Sequence, residues 1–345
     1  MASLRGDLAL HAIKSPSALT DYFPPTLEHT VTTASVFSLL QQWAIPRLID
    51  KLRGSIYHST YYLMPYRLTI PIVFTTYDLI PIIYSKYFRL THRIIYRIAH
   101  HLAVKVSSHI IAISQSTKSD LIRLFGADTE RISVIPLAAD ASFQPQSRAA
   151  VETMCSHFGI PRDYCLYVGT NKPHKNLLAL LRAWKYLHDS KALEGRSLVI
   201  AGQWDARYPE AKEFALLMGL KASVVFAGKV PENFLPTLYT GAELLIQPSL
   251  YEGFGLPIVE AMSCGTPVIC SNSSSLTEVA GDAALFFDPR NSRNMAAILG
   301  SVIANRAKLD SMRERGFQQA SRFSWDKTAL DTIEVYRKMH DTSFV

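Results

Sequence analysis

Short apolar runs recur along this chain at a length that suits β-strands. They fall at residues 70–75, 108–113, 132–135, 164–168, 197–201, 224–227, 244–247 and 267–270. Stretches long enough for a helix lie between many of them, for example residues 175–187 and 209–218. Because short apolar strands alternating with helices are typical of parallel sheets wound in βαβ units, the pattern predicts an α/β fold.

A break in this alternation predicts two domains. Residues 137–150, LAADASFQPQSRAA, are polar, rich in alanine and interrupted by proline, and a new series of strands and helices follows them. We expect a Rossmann-like N-terminal domain over residues 1–145, a second over 146–325, and a C-terminal helix within 326–345 that crosses back to the first. Ligands of such sheets bind beyond the carboxyl ends of the strands, so a cleft between the two domains is the expected site.

The composition is that of a folded globular protein. Of the 345 residues, 48% are hydrophobic and only 19% are charged, so the chain can bury a sizeable core. The four cysteines show no paired CxxC spacing and no His cluster beside them, which favours reduced, buried thiols of a cytoplasmic protein over zinc ligands or disulfides. No apolar run reaches the roughly 18 residues that cross a bilayer, so a soluble or peripheral protein is expected.

The positive charge of the chain is local. Residues 1–150 hold 15 lysines and arginines against 9 acidic residues, so they supply +6 of the net +7. The basic residues of segment 84–105 alternate with aromatic and aliphatic ones; they are Lys86, Arg89, Arg93, Arg97 and Lys105. The segment suits either a surface that faces anionic lipid head groups or a helix with a solvated basic side. Nucleic acid is not an expected partner, since no recognition motif accompanies the charge.

The most informative segment is 247–262, QPSLYEGFGLPIVEAM. A strand ends near Gln247, a glycine-bearing turn follows, and Pro257 suits the first turn of a helix. The free N–H groups of a helix N-terminus bind phosphate, and glycines let the backbone approach a ligand closely. The carboxylates of Glu252 and Glu260 can therefore face one pocket. The alternative interpretation is an ordinary strand, turn and helix with two surface glutamates.

This spacing of two glutamates around GFGLP resembles the signature of family 4 of the glycosyltransferases, a large retaining family of GT-B architecture. The run that follows, AMSCGTPVICSNSSSLTEVAGDAALFFDP, and the earlier YVGTNKPHKN at 167–176 are also similar to family segments. The resemblance covers roughly residues 55–340. It implies transfer of a hexose from a nucleotide-diphosphate sugar, GDP-mannose as the first candidate, to a glycan or lipid-linked acceptor. No metal and no further cofactor are implied.

The resemblance also implies roles for individual residues. Glu252 lies near the donor sugar, Lys175 neutralises the diphosphate leaving group, and Tyr77 occupies a position where many relatives carry a His that contacts the sugar. Glu260 accepts hydrogen bonds from the ribose hydroxyls. The other donor-binding residues implied are Gly253, Phe254, Gly255, Leu256, Gly169, Thr170, His174, Val230 and Ser249.

The chain departs from the family pattern at three places. Tyr77 replaces the usual His, and His174, which carries charge only part of the time near neutral pH, replaces the basic residue that usually precedes Lys175. The usual opening strand with its glycine-rich turn has no copy in residues 1–25, and residues 7–13 resemble the second strand instead. Two alternatives therefore stay open: a catalytically impaired relative that binds a nucleotide sugar or a partner, and a GT-B sugar-nucleotide epimerase. The segment from Glu252 to Glu260 argues against the epimerase.

Overall fold

The computed structural model describes residues 8–14 and 27–342 of the chain. These residues form two compact units: unit 1 runs to Pro136 and includes the segment from Asp326 onward, and unit 2 is Leu137–Trp325. Residues 137–145, which the sequence assigns to the first domain, belong to unit 2, where the ring of Phe143 lies 6.0 Å from that of Tyr239. Helices and parallel strands in both units confirm the predicted α/β class.

Unit 1 contains two parallel sheets. The smaller sheet pairs β1 (His11–Lys14) with β2 (Glu28–Val31). The following elements are α1 (Gln41–Leu52), β3 (Tyr57–Ser59), β4 (Ile72–Thr76), α2 (Ile80–Ile83), α3 (Leu90–Val106), β5 (His109–Ala112), α4 (Gln115–Phe125) and β6 (Ile132–Val134). Strands β3, β4, β5 and β6 pair in that order and are all parallel.

Both faces of this four-stranded sheet are covered. One face packs against α3, with Phe74 and Ile110 of the sheet in the same buried cluster as Tyr96. The other face packs against the C-terminal helix, Trp325–Thr342, through Val335, Tyr336 and Met339. Because both faces are covered, the two central strands β4 and β5 are buried at every residue instead of alternating between buried and exposed positions.

The predicted strand at residues 7–13 is only partly described. Asp7 lies outside the described residues, and the strand begins at His11. Its described pairing is with β2, in register from His11 opposite Glu28 to Lys14 opposite Val31, and not with the four-stranded sheet.

Unit 2 is built around one six-stranded parallel sheet. Its elements are α5 (Arg148–Phe158), β7 (Tyr164–Val168), α6 (Leu177–Asp189), β8 (Ser197–Ala201), α7 (Glu210–Leu217), β9 (Val224–Gly228), α8 (Leu235–Gly241), β10 (Leu244–Gln247), α9 (Leu256–Ser263), β11 (Val268–Ser271), α10 (Leu276–Ala280), β12 (Leu285–Phe287), α11 (Ser292–Ile303) and α12 (Arg306–Ala320). Trp184 of α6 and Leu198, Ile246 and Met295 are among the side chains that fill its largest core cluster.

The strand order of unit 2 indicates where a ligand-binding site is expected. The order is β12-β11-β10-β7-β8-β9, so β7 has β8 on one side and β10 on the other. The chain winds outward in opposite directions from this pair, and the loops that leave β7 and β10 therefore separate at their carboxyl ends. In open parallel sheets such a switch point is the place where ligands bind.

Two further predictions concern the cysteines and the bilayer. Cys155, Cys165, Cys264 and Cys270 are all buried free thiols, as predicted. Among residues 8–14 and 27–342, no helix is both long enough and apolar enough to cross a membrane.

Candidate active site

An ion pair lies at the switch point of unit 2. Lys175 follows β7 and Glu252 follows β10, and the Lys175 Nζ lies 2.7 Å from Oε1 and 2.8 Å from Oε2 of Glu252. Both side chains are largely buried. Two residues separated by 77 positions thus meet because their strands are neighbours in the sheet.

Asn176 holds the two loops together. It adopts a left-handed backbone conformation (φ 59°) between the 3-10 turn Pro173–Lys175 and α6, which Asn tolerates better than most residues. Its side-chain amide donates hydrogen bonds to the carbonyl oxygens of Pro248 (3.0 Å) and Pro289 (2.7 Å). The Leu250 N–H adds a 2.7 Å bond to the His174 carbonyl, so the loop carrying Lys175 is fixed to the loop carrying Glu252.

The Glu252 carboxylate is hydrogen-bonded from three sides. Besides Lys175, its Oε1 accepts from Ser249 Oγ at 2.7 Å and from Gln247 Nε2 at 3.0 Å. Burial raises the pKa of Glu252, but the charge and hydrogen bond of Lys175, together with Ser249, outweigh it, so the pKa ends below its usual range. Glu252 is therefore ionised at neutral pH.

Two serines after β11 position the loop that carries Glu252. The Glu252 N–H donates to Ser274 Oγ at 2.9 Å. The Ser275 hydroxyl lies 2.9 Å from the Glu252 carbonyl oxygen and 2.8 Å from that of Phe254. The turn between Glu252 and α9 is thus supported by hydrogen bonds along its length.

Helix α9 begins directly after this turn. Gly255 precedes it with φ 108°, a region that favours glycine, and a Cβ there would lie 2.8 Å from Leu276 Cδ2. The first turn of a helix leaves its backbone N–H groups without intrahelical partners, so those of α9 are directed at the end of the turn beside Glu252. This end of the helix carries the positive pole of its dipole.

Glu260 lies one turn into α9 and is partly buried. Its Oε2 accepts a 2.7 Å hydrogen bond from the Tyr239 hydroxyl, whereas no described residue donates to Oε1. Burial raises the pKa of Glu260; the Tyr239 bond lowers it and nearby Glu232 raises it further, and the net pKa is above its usual value. One carboxylate oxygen thus remains available to a ligand.

Comparison with known proteins identifies the family. Residues 158–319 match the family described as "Glycosyl transferases group 1", and residues 19–143 match "Glycosyltransferase Family 4". The chain is 33% identical to the O-antigen chain mannosyltransferase B of Escherichia coli over 303 aligned residues. The aligned region covers 86% of this chain and 77% of that protein. The chain belongs to the family 4 glycosyltransferases.

Further similarities agree with this assignment. The glycosyltransferase is 28% identical over 262 residues to the O-antigen chain mannosyltransferase RfbU of Salmonella typhimurium, over 75% of this chain and 68% of that protein. The structure of the Anabaena protein HepE in complex with UDP-glucose superposes with a TM-score of 0.74 at 20% identity, over 90% of this chain and 86% of that one. The fold of the glycosyltransferase is therefore GT-B.

His174 differs from its sequence expectation. Burial and then the charge of Lys175 lower its pKa to about 4, with Lys172 adding to this and Glu252 opposing it. The imidazole of the glycosyltransferase is therefore neutral near pH 7, and not charged part of the time as the sequence suggested. Since a surface His titrates near 6.5, burial is the physical reason for the difference.

The remaining predicted residues of unit 2 also lie in loops at the carboxyl ends of its strands. Gly169 and Thr170 follow β7, and Val230 is buried just after β9. The Gly169 backbone passes so close to Gly202 that a Cβ on Gly202 would lie 2.1 Å from the Gly169 oxygen. The predicted donor-binding residues Gly253, Phe254 and Leu256 belong to the turn and first helical residue already described.

Tyr77 is the one predicted site residue in unit 1. It follows β4, its side chain is 43% exposed, and burial raises the pKa of its hydroxyl. It is therefore protonated at neutral pH and can donate a hydrogen bond, but it cannot act as a cation.

Several residues that form hydrogen bonds in the site have no role that the sequence pattern predicts. They are Gln247, Ser274 and Ser275 around Glu252, Asn176 between the loops, and Tyr239 beside Glu260. A run of serines directly after a predicted strand, residues 273–275, was a signal for two of them. Tyr239 carried no such signal, because it lies inside α8 and meets Glu260 only through packing.

Within residues 8–14 and 27–342, no group of three or more His, Cys, Asp or Glu side chains is arranged to hold a metal ion.

Proposed function

We propose that this glycosyltransferase moves a hexose from a nucleotide-diphosphate sugar to an acceptor with retention of the anomeric configuration. The observation that carries the proposal is the buried pair of Lys175 and Glu252 at the switch point of unit 2, beside the N-terminus of α9. A departing diphosphate needs positive charge, which a lysine and a helix N-terminus both supply. No metal is required for this charge balance.

Lys175 has a donor left for the diphosphate. An ammonium group carries three N–H donors, and two short contacts engage the two oxygens of Glu252. A third N–H remains for a phosphate oxygen. We infer that Glu252 keeps Lys175 oriented until the donor arrives, so the cation does not have to be reorganised during the reaction.

The surroundings of Glu252 favour an ion-pair route over a double displacement. A nucleophilic carboxylate must leave its hydrogen bonds to attack the anomeric carbon, and Glu252 is held by Lys175, Ser249 and Gln247. We infer that Glu252 stays ionised and stabilises positive charge on an oxocarbenium-like sugar. The acceptor hydroxyl then attacks from the face that the diphosphate leaves, and its proton passes to an oxygen of the departing diphosphate.

Glu260 is suited to bind the ribose. Tyr239 fixes one carboxylate oxygen, and the other is open to a hydroxyl donor. The remaining donor contacts in this proposal come from the backbone of residues 253–256 and from Gly169, Thr170, His174, Val230 and Ser249.

Mannose is the proposed sugar and GDP the proposed nucleotide. Mannose is supported by the similar proteins of Escherichia coli and Salmonella typhimurium, which bear the name O-antigen chain mannosyltransferase, whereas GDP rests on the family resemblance alone. We propose a glycan or lipid-linked acceptor for the same reason. The enzyme would then act in the cytoplasm at the inner leaflet, with residues 84–105 against anionic lipid.

A catalytically impaired relative is the second candidate, because Tyr77 replaces the His at the corresponding position of many relatives. A tyrosine can hold a sugar hydroxyl but supplies no positive charge. Binding without turnover would then be the function.

A panel of radiolabelled nucleotide sugars, with and without lipid-linked acceptors, tests the proposal. We expect hydrolysis or transfer from one donor, GDP-mannose first, and at least a tenfold loss of donor affinity in Glu260→Gln, since a charge-assisted hydrogen bond contributes about 1.5–3 kcal/mol. Glu314→Gln, an exposed glutamate on α12, serves as the control. Binding without turnover would support the impaired relative. Unchanged donor affinity in a folded Glu260→Gln protein would remove Glu260 from the site.

A further inference from the structure

Unit 1 exposes two apolar segments that its own core does not use. The first is the outer face of α3, with Leu90, Ile94, Ile95 and Ile98. The second is residues 36–43, with Val36, Phe37, Leu39, Leu40 and Trp43. We call these nine side chains the apolar surface. Single exposed apolar residues are ordinary, but clusters of this kind mark interaction sites.

The arrangement on α3 is unusual for a helix on a soluble domain. Its buried side carries Tyr96, Ala99 and Ala103, as expected of an amphipathic helix. The opposite side should be polar, yet Leu90, Ile94 and Ile98 form a row at spacing i, i+4 and i+8. Ile98 is 55% exposed. The helix is thus apolar on the side facing away from the core as well as on the side facing it.

Residues 36–43 are exposed to a greater degree. Leu39 is 78% exposed, and Trp43, at the start of α1, is 58% exposed. The backbone of this segment is nevertheless ordered by local hydrogen bonds, such as Gln41 N–H to the Ser38 oxygen, and Gln42 Nε2 donates to the Met64 carbonyl at 2.8 Å. The apolar side chains are therefore presented on a held backbone.

A chain of aromatic rings runs from residues 36–43 to the core side of α3. The Phe37 ring lies 6.1 Å from that of Tyr61, which lies 4.3 Å from Tyr62. Tyr62 in turn lies 4.6 Å from Tyr96 of α3. The ring chain reaches α3 from its buried side, so residues 36–43 and α3 belong to one region of unit 1, and the row of Leu90, Ile94 and Ile98 lies on the opposite side of the helix from Tyr96.

Charge indicates what the apolar surface binds. The sequence has no acidic residue between Asp78 and Asp120. The basic residues in that interval are Lys86, Arg89, Arg93, Arg97, Lys105 and Lys118. Arg93 and Arg97 lie beside the apolar row of α3. Docking of two copies through this surface would bring like charges together, whereas an anionic bilayer supplies both negative charge and an apolar layer.

We propose that the apolar surface inserts into the interfacial layer of an anionic phospholipid bilayer, with α3 lying in the plane of the membrane. The apolar side chains enter the boundary between head groups and acyl chains, and the arginines contact lipid phosphates. Trp43 sits at the level that tryptophan prefers in bilayers. This extends the membrane contact of residues 84–105 inferred above by a second inserted segment, and it does not depend on which sugar is transferred.

Co-sedimentation of the full chain with vesicles tests the insertion. Vesicles of phosphatidylglycerol and phosphatidylcholine are compared with phosphatidylcholine alone, at low and high salt and without nucleotide sugar. We expect binding to the anionic vesicles, and at least about a tenfold lower partition coefficient both in Leu39→Ser/Leu40→Ser and in Ile94→Asn/Ile98→Asn. The matched control is Leu216→Ser/Leu217→Ser, because these leucines are equally exposed but lie in unit 2.

Two further measurements separate the contribution of the basic residues from the depth at which Trp43 lies in the bilayer. Arg93→Gln/Arg97→Gln should lower partitioning about thirtyfold at low salt, since each basic residue near an anionic surface contributes about a fivefold factor. Lipids brominated on their acyl chains should quench tryptophan fluorescence in the parent protein and much less in Trp43→Phe. Trp184 is buried and serves as an internal reference.

Three results would overturn the proposal. They are the absence of binding to anionic vesicles at low salt, equal losses in the Leu216/Leu217 control, and quenching that does not change in Trp43→Phe. A concentration-dependent dimer in sedimentation velocity, dispersed by the Leu39/Leu40 and Ile94/Ile98 variants in the absence of lipid, would assign the surface to a second copy. Donor binding measured by calorimetry on the same variants keeps a failure here distinct from a failure of the proposed reaction.

Discussion

At the scale of single residues, Lys175 and Glu252 depend on each other. Each offsets part of the penalty of burying the other's charge, and the lowered pKa of Glu252 is one consequence of the pair. His174 lies beside them but is neutral, so Lys175 is the side chain of this loop that faces Glu252 with a full charge. Lys172, three residues earlier in the same loop, is exposed.

We expect Lys175→Ala to lower turnover about 100- to 1000-fold, the range seen when one preorganised donor to a developing negative charge is removed. Donor affinity should change less, because the ammonium acts mainly on the leaving group. Steady-state kinetics and calorimetry with the proposed donor, GDP-mannose, measure the two effects. Lys172→Ala is the control and should retain turnover. A loss confined to donor affinity would place Lys175 in ground-state binding instead.

At the scale of elements, the junction between β10 and α9 sets the geometry of the site. Two residues of the turn, Glu252 and Phe254, are held by Ser249, Ser274 and Ser275, and Gly255 completes the turn in a left-handed conformation. The turn therefore fixes the direction in which the N-terminus of α9 points, since the helix itself has only eight residues.

Gly255→Ala should destabilise unit 2 and weaken donor binding. The left-handed backbone alone costs about 1–2 kcal/mol for a residue with a Cβ, and the contact with Leu276 adds to it. Gly219→Ala is the matched control, because Gly219 also has a positive φ but a Cβ there meets nothing within 4 Å. Urea unfolding of both variants separates backbone strain from the steric contact. Equal losses would show that Leu276 moves aside without cost.

At the scale of the whole chain, buried histidines link stability to pH. Burial lowers the pKa of His58 to about 4 and that of His100 to about 3, and burial with nearby Lys338, Arg131 and Lys118 lowers that of His109 to about 4. The unfolded chain takes up these protons near pH 6.5, before the folded chain does. The stability that depends on neutral imidazole is thus complete above about pH 6.5 and is lost as pH falls toward 4.

Urea unfolding at pH 7.5, 6 and 5 should show this loss, which reaches roughly 2 kcal/mol per histidine at pH 5, about 1.5 pH units below the pKa of the unfolded chain. His100→Phe should flatten the pH dependence, since the His100 ring packs against both Tyr62 and Tyr96 and an uncharged ring keeps that packing. His101→Phe, exposed and adjacent, should leave the slope unchanged. An identical slope in His100→Phe would show that other groups control acid unfolding.

The sequence by itself determined the strands and the fold class, and it predicts the chemistry of the segment from Glu252 to Glu260. Tyr164–Val168, Ser197–Ala201 and Leu244–Gln247 are strands at their predicted limits, because apolar runs and the glycines and prolines that end them are local properties of the chain. The roles proposed for Lys175 and Glu260 come from the family resemblance, because a motif indicates the chemistry of its residues but not the contacts that they make.

Tertiary structure alone decided which of these pieces meet. The pairing of β7 with β10 joins residues about 80 positions apart, and no local pattern states that order. It brings Lys175 onto Glu252, and packing likewise places Tyr239 on Glu260 and removes the charge from His174. The exposure of Leu90, Ile94 and Ile98 could not be predicted from the sequence either. Because α3 is apolar on two sides, the sequence does not tell which side packs against the core and which side faces solvent.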